Sequence, residues 1–236
     1  MKDFTSVIKD ECKFSGSGFN NDHELGECSL AFQVIPYCES VLEIGGGAGK
    51  VSHMINTLLS NPSKHVVIEP GIGGRGNHGD EHLWKNQKHF EDKYTIIKKY
   101  ANELVKNDLK MLGEDGPDCL YVDCEGCLLS FLTHSAIGKA ILKSTKLKYI
   151  VNEMDGFTSS IPEHDNKLKE LLKNNGFVVH AKGAGCGVKC ETLVWKKHES
   201  PVIETFFSTN KNYTKKRYMF VILVILTILL LLSYFI

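Results

Sequence analysis

The sequence predicts an α/β fold: a mostly parallel, seven-stranded sheet with helices on both faces, plus a C-terminal transmembrane helix. Three observations predict it. Five short apolar runs alternate with helical patterns, and a helix and a hairpin-like pair of runs follow them. Alternation of this kind makes a parallel sheet covered on both faces. A glycine cluster, Gly45–Gly49, separates the first run from the first helical stretch, and the last 19 residues, Tyr218–Ile236, contain no charge, glycine or proline.

The elements follow in order. Val41–Ile44 is the first strand, and Lys50–Leu59 continues with helical spacing. His65–Glu69 is the second strand, and the glycine-rich loop Pro70–Gly79 leads into the helix-like "DEHLWKNQKHFEDK". Tyr94–Lys98 is the third strand and Asn102–Leu112 the third helix. Cys119–Asp123 is the fourth, followed by a helical stretch to about Leu142, and Tyr149–Glu153 is the fifth. "EHDNKLKELLKNNGF" is an amphipathic helix stopped at Gly176, a residue that ends helices easily. "FVVHA" and "ETLVWKK" are the last two strands, joined by the loop Lys182–Cys190. Residues 1–40 are less patterned; "CSLAFQVIPYC" reads as a short helix, and the segment is expected to form a cap or lid over the sheet edge.

The tail has a different character. At 1.5 Å per residue it spans about 28 Å, close to the hydrocarbon thickness of a bilayer. Lys215, Lys216 and Arg217 precede it, and Tyr218, Tyr234 and Phe235 lie at its ends as interfacial anchors. The N-terminus lacks the apolar stretch of a signal peptide. The chain therefore reads as a tail-anchored, single-pass membrane protein. Residues 198–217 form a juxtamembrane tether, 218–236 the span, and the body lies on the cytosolic side that the basic triplet favours. The eight cysteines then sit in a reducing compartment, where a disulfide framework is not expected.

Charge excludes one broad class. With 28 basic and 28 acidic residues the chain lacks the basic excess of a general nucleic-acid binder, so no nucleic acid is expected as a partner. Ligands of parallel sheets bind at the carboxyl ends of the strands, near the point where strand order reverses. Gly45–Gly49, Glu69, Tyr100–Asn102, Asp123–Gly126 and Glu153–Gly156 all fall at such ends.

The spacing of the glycines selects among three ligands. A P-loop needs a glycine at position 44 and Ser or Thr at 51; Ile44 and Val51 stand there. A dinucleotide fingerprint beginning at Gly45 needs its third glycine at position 50, which is lysine. "GIGGRG", Gly71–Gly76, matches that fingerprint as a string but lacks the acidic partner beyond a following strand, and reads as a loop. What remains is Glu43-x-Gly45-x-Gly47-x-Gly49.

This E-x-G-x-G-x-G turn resembles the first motif of the S-adenosylmethionine-dependent methyltransferases with a Rossmann-like fold. Glycines let backbone approach the amino-acid part of such a cofactor. An acidic Glu43 holds the turn or meets the cofactor ammonium. Glu69, about 20 residues on, is placed to accept both ribose hydroxyls. "DCLYVDCEGCLLSFL" carries Asp123-Cys124-Glu125-Gly126, which resembles the "DxEG" signature of FkbM-type methyltransferases. "IEP" at Ile68–Pro70, Asn86, "IVNEMD" at Ile150–Asp155 and "LLKNNGF" add to that likeness, which covers about Val41–Trp195. The resemblance implies a methyltransferase domain over 41–197 with a seven-stranded sheet. It implies S-adenosyl-L-methionine as cofactor, held by Glu43, Gly45, Gly47, Gly49, Glu69, Asn102 and Asp123. It also implies O-methylation of a small molecule or sugar, extended by the tail to a lipid headgroup at a membrane surface.

Methyl transfer to a hydroxyl needs alignment of the acceptor, exclusion of water and removal of a proton. Asp123 and Glu125 are the candidates for that proton; if both face one pocket, repulsion raises one carboxyl toward a useful range. The competing reading makes them caps of the following helix. Glu153 and Asp155 rank second, for acceptor or metal. Carboxylates bonding without metal are favoured over Mg²⁺, and zinc at Cys124-x-x-Cys127 with Cys186-x-x-x-Cys190 would have to bridge two distant strand ends. His53, His134 and His180 read as packing or surface residues. The alternative to an enzyme is a non-catalytic membrane-anchored module that retains this fold.

Overall fold

A computed structural model describes residues 25–47, 49–70, 94–185 and 190–198. The chain divides into two units, Met1–His198 and Glu199–Ile236. The second, with most of the expected tether and all of the expected span, lies outside the described residues, as do residues 1–24, the "GIGGRG" loop, the helix expected over 80–93 and Cys186. Among the described residues, no helix is long and apolar enough to cross a membrane.

The predicted seven strands are all present: β1 Val41–Ile44, β2 His65–Ile68, β3 Thr95–Ile97, β4 Cys119–Val122, β5 Tyr149–Met154, β6 Phe177–Ala184 and β7 Glu191–Lys197. They form one sheet in the order β3-β2-β1-β4-β5-β7-β6. The pairs among β1 to β5 are parallel, and β7 runs antiparallel to both β5 and β6. Strand order therefore reverses between β1 and β4. β1, β2 and β4 are buried along their whole length because both faces are covered, which is why they read as continuous apolar runs rather than alternating ones.

Each face has its own core. Leu42, Ile44, Val66, Ile68, Leu120 and Val122 point to one face, where Phe131, Leu132, Ile141 and Leu168 pack on them. These come from α3 (Cys127–His134), α4 (Ala136–Lys143) and α5 (His164–Asn174). On the other face Val41, Cys119, Tyr121 and Val151 meet Ala31 and Val34 of α1 (Leu25–Val34) and Met54 and Ile55 of α2 (Lys50–Leu58). The described part of the segment expected to form a lid is thus a helical layer of the core, ended by a 3-10 turn at Ile35–Tyr37 where Pro36 interrupts the helix.

Two predicted helices take other forms. Asn102–Leu112 is not an α-helix but two 3-10 turns, Ala101–Glu103 and Lys106–Leu112. Glu103 Oε2 accepts the Tyr100 N–H at 3.0 Å, and Asp108 Oδ2 accepts the Val105 N–H at 2.9 Å. Such side-chain bonds start each turn separately and compete with one continuous helix. The stretch after β4 breaks at Ser135, which is extended and whose Oγ caps α4 by accepting the Gly138 N–H at 3.2 Å.

Candidate active site

The register of the sheet builds the site. Ile44 pairs with Ile68 on one side and with Val122 on the other, so β1, β2 and β4 end level. The bonding continues one residue further: the Gly45 N–H donates to Ile68 O, and the Asp123 N–H donates to Ile44 O, each at 2.9 Å. Gly45, Glu69 and Asp123 are therefore neighbours at the carboxyl end of the sheet, where strand order reverses.

Only glycine fits at the first of these. Gly45 has φ +92°, and a Cβ there would lie 1.7 Å from Asp123 O. Its bare backbone lets the β1 loop pass directly over the end of β4. Gly47 also lies in the left-handed region, at φ +50°, but among the described residues a Cβ there would meet nothing within 4 Å. It is exposed, and its N–H donates to Glu69 Oε2 at 3.0 Å. Gly49, buried and at φ 87°, begins α2, and its N–H donates to Gly46 O at 2.8 Å.

Glu43 is expected either to hold the turn or to meet the cofactor ammonium. It is wholly buried beneath the loop rather than facing a ligand. Its Oε1 accepts from Ser52 Oγ, and its Oε2 lies against His65 Nε2, both at 2.7 Å. It fastens β1 to α2 and β2, so of its two expected roles it performs the holding of the turn.

The β4 loop is the other wall. Glu125 is a non-glycine residue at φ 39°, followed by Gly126 at φ 79°. A side chain held in that region marks a local backbone cost that surrounding structure must sustain. Two bonds sustain it: the Cys127 N–H donates to Cys124 O at 3.1 Å, and a disulfide joins the same two residues, whose Cα atoms are 5.5 Å apart. A third contact comes from the residue after β5, where the Gly126 N–H donates to Asp155 Oδ1 at 2.8 Å. Asp155 is 3% exposed. Burial first, then the charges of Glu153 and Glu125, push its carboxyl up to about 6, against the Gly126 N–H, which favours the anion.

Disulfides are not expected as a framework, yet two involve described cysteines. Cys124 and Cys127 are bonded to each other, and Cys190 is also in a disulfide, while Cys28, Cys38 and Cys119 are buried thiols. The turn places the Cα atoms of Cys124 and Cys127 within the span a disulfide requires. A zinc site using that pair is removed by the bond. Among the described residues, no group of three or more His, Cys, Asp or Glu is arranged to hold a metal.

A cleft of about 440 Å³ opens between the two walls, of a size that takes small-molecule ligands. Of the sequence-predicted residues, Gly45, Gly47, Glu69, Asn102, Asp123 and Glu125 line it; Glu43 and Gly49 do not. Asn102 is exposed on the turn after β3, where its Nδ2 donates to Ser130 Oγ at 3.3 Å. Glu153 and Asp155 lie buried outside the cleft lining. Sequence reasoning missed Cys124 and Cys127 as parts of the wall, although C-x-x-C spacing is itself a disulfide signal. A larger groove of about 790 Å³ involves Lys106, Lys110 and the segment leading into β4. It contains none of the strand-end residues, so position at the reversal point, not volume, identifies the site.

The comparisons agree with this architecture. A candidate RNA methyltransferase from Pyrococcus horikoshii superposes with a TM-score of 0.51 at 14% identity, covering 85% of this chain and 99% of that one. A candidate O-methyltransferase from Klebsiella pneumoniae superposes with a TM-score of 0.50 at 14% identity, over 84% of this chain and 91% of that one. No family model matches the chain, and neither does the sequence of any curated protein. The chain has the Rossmann-like α/β methyltransferase fold with a seven-stranded, mostly parallel sheet.

Proposed function

We propose that the chain is an S-adenosyl-L-methionine-dependent methyltransferase of FkbM-type character that methylates an oxygen of a small molecule, sugar or lipid headgroup. The observation that carries this reading is the level ending of β1, β2 and β4, with Gly45, Glu69 and Asp123 side by side on one cleft. The residues suit the cofactor. Open space over Gly47 leaves backbone room for its amino-acid part. Glu69, whose Oε2 accepts the Gly47 N–H, ends β2 on the same cleft, and a carboxylate is the side chain type that accepts ribose hydroxyls. Asn102 and Tyr100 border the same cleft on the β3 side.

When bound, the cofactor supplies an electrophilic methyl group. The chain's own part is to hold the acceptor in line, keep water out and take a proton. Asp123 and Glu125 are the residues for the last task, because both line the cleft and Glu125 is exposed on the β4 turn. The proposal includes the C-terminal span, with the body on the cytosolic side and the methyl acceptor at the membrane surface. It rests there on the uncharged run Tyr218–Ile236 and the basic triplet before it.

Titration calorimetry of the full chain with S-adenosylmethionine tests the first part, and incubation with labelled cofactor and sugar, lipid and protein extracts tests the second. Saturable binding and a labelled sugar or lipid product are expected. Absence of binding would remove the reading; binding without transfer to any extract would leave the non-catalytic module.

A further inference from the structure

We propose that Cys124 and Cys127 are a thiol–disulfide exchange site for a dithiol reductant, and that their bond sets the shape of the cleft wall that carries Glu125. The site deepens the methyltransferase reading, and rests on it for the identity of the ligand.

Three observations converge on it. The disulfide spans Glu125 and Gly126, the two consecutive residues in the left-handed region, at φ 39° and 79°. Its two cysteines line the cleft and are partly exposed, unlike Cys28, Cys38 and Cys119, which are buried. Reactive cysteines are those a partner reaches, whereas buried ones are inert. The turn they close is also held by the Cys127 N–H bond to Cys124 O and the Gly126 N–H bond to Asp155 Oδ1, and both cysteines pack against the core. Losing the covalent link leaves a non-glycine residue at positive φ beside one backbone bond and one bond to the Asp155 carboxylate, and such a residue relaxes toward the ordinary regions.

The chemistry balances with a dithiol as the second reactant. One thiolate of the dithiol attacks either sulfur, breaking the Cys124–Cys127 bond and forming a mixed disulfide. The second thiolate then attacks the mixed disulfide and releases the remaining cysteine. Two electrons pass from the dithiol to the pair, and the two protons lost by the dithiol end on the thiols of Cys124 and Cys127. In a compartment where dithiol reductants keep most cysteines reduced, such a bond follows the local redox state. Reciprocity follows: if reduction weakens ligand binding, a bound ligand slows reduction by the same linkage.

The test compares the full chain before and after dithiothreitol, with alkylation and peptide mass to follow the two cysteines. Amide hydrogen exchange follows the N–H groups of Gly126 and Cys127, and calorimetry follows S-adenosylhomocysteine. Reduction is expected to make both cysteines alkylatable, to speed exchange at those two amides, and to weaken the ligand roughly tenfold as the cost of ordering the turn moves onto binding. The double variant Cys124→Ser, Cys127→Ser should show the fast exchange without treatment and no further change with dithiothreitol, which separates this bond from that of Cys190. Exchange unaltered by reduction, or still altered in the double variant, would overturn the proposal, as would equal ligand affinity in both forms. If the ligand binds neither form, the methyltransferase reading fails, and the exchange comparison by itself upholds or overturns the switch.

Discussion

The backbone N–H of Gly47 donates to Glu69 Oε2 at 3.0 Å, so the acidic residue that ends β2 reaches across to the glycine turn that ends β1. The two motifs, 22 positions apart, are joined on one wall of the cleft. Glu69→Gln keeps an acceptor for that N–H and removes the charge, whereas Glu69→Ala removes both. Calorimetry is expected to show S-adenosylmethionine affinity falling roughly tenfold or more in the glutamine variant and lost in the alanine variant, since hydrogen bonds to a charged group count for about 1.5–3 kcal/mol. Unchanged affinity in both would take Glu69 out of the site.

Gly45 and Gly47 should respond differently. Alanine at 45 places a Cβ 1.7 Å from Asp123 O at φ +92°, so main chain has to move. Gly45→Ala is expected to lose about 3 kcal/mol or more in chemical denaturation, as strained positions at special φ do. Leucine at 47 enters open space, so Gly47→Leu should keep near-native stability, give up about 1 kcal/mol to its backbone conformation, and block ligand. Equal denaturation midpoints for the two variants would contradict the geometry.

Glu43 and Asp118 are buried and hydrogen-bonded away from the cleft lining, so their replacement is expected to act on stability more than on ligand. Asp118 Oδ1 accepts the Ser40 N–H at 2.8 Å and its Oδ2 accepts the Glu39 N–H at 2.9 Å, which joins the chain before β1 to the start of β4. Either residue replaced by alanine leaves buried partners unsatisfied, and a loss of about 3 kcal/mol is expected in urea denaturation. Ligand affinity measured below the transition should fall less than in Glu69→Ala. A Glu43→Ala variant with native stability and no affinity would restore its expected role as a ligand contact.

Asp155 makes stability depend on pH in an unusual direction. Its carboxyl is raised from the ordinary 3.8 to about 6, mainly by burial and then by Glu153. Between these values the folded chain binds more protons than the unfolded one, so this group's contribution is full below about pH 4 and is lost as pH rises through 6. Asp155→Asn keeps an acceptor for the Gly126 N–H and removes the titration. Relative to wild type, the variant should gain stability between pH 4.5 and 7, by at most ~3 kcal/mol. A stability difference that stays constant across that range would show that Asp155 does not titrate there.

The alternation of strands and helices was legible because periodicity is a local property, and β1, β2, β4 and β5 lie within a residue of the predicted runs. The residues 102–112 were not, because Glu103 and Asp108 divert the backbone into separate turns through bonds that hydrophobic spacing does not report. Ser135 divides the long helix for the same reason. The Cys124–Cys127 bond was not legible from the reducing compartment the tail implies, because it depends on the local geometry of the turn, which sets the two Cα atoms 5.5 Å apart.

The sequence by itself determined the element types, the glycine turn and the acidic strand ends, since each depends on neighbours a few residues away. Tertiary structure alone decided which of those residues share a surface. Parallel register levels β1, β2 and β4, which puts Gly45, Glu69 and Asp123 on one cleft. The alternation of side chains along β1 turns Glu43 the other way, into the core with His65 and Ser52. Strand pairing over long separations sets these outcomes, and no local pattern encodes it.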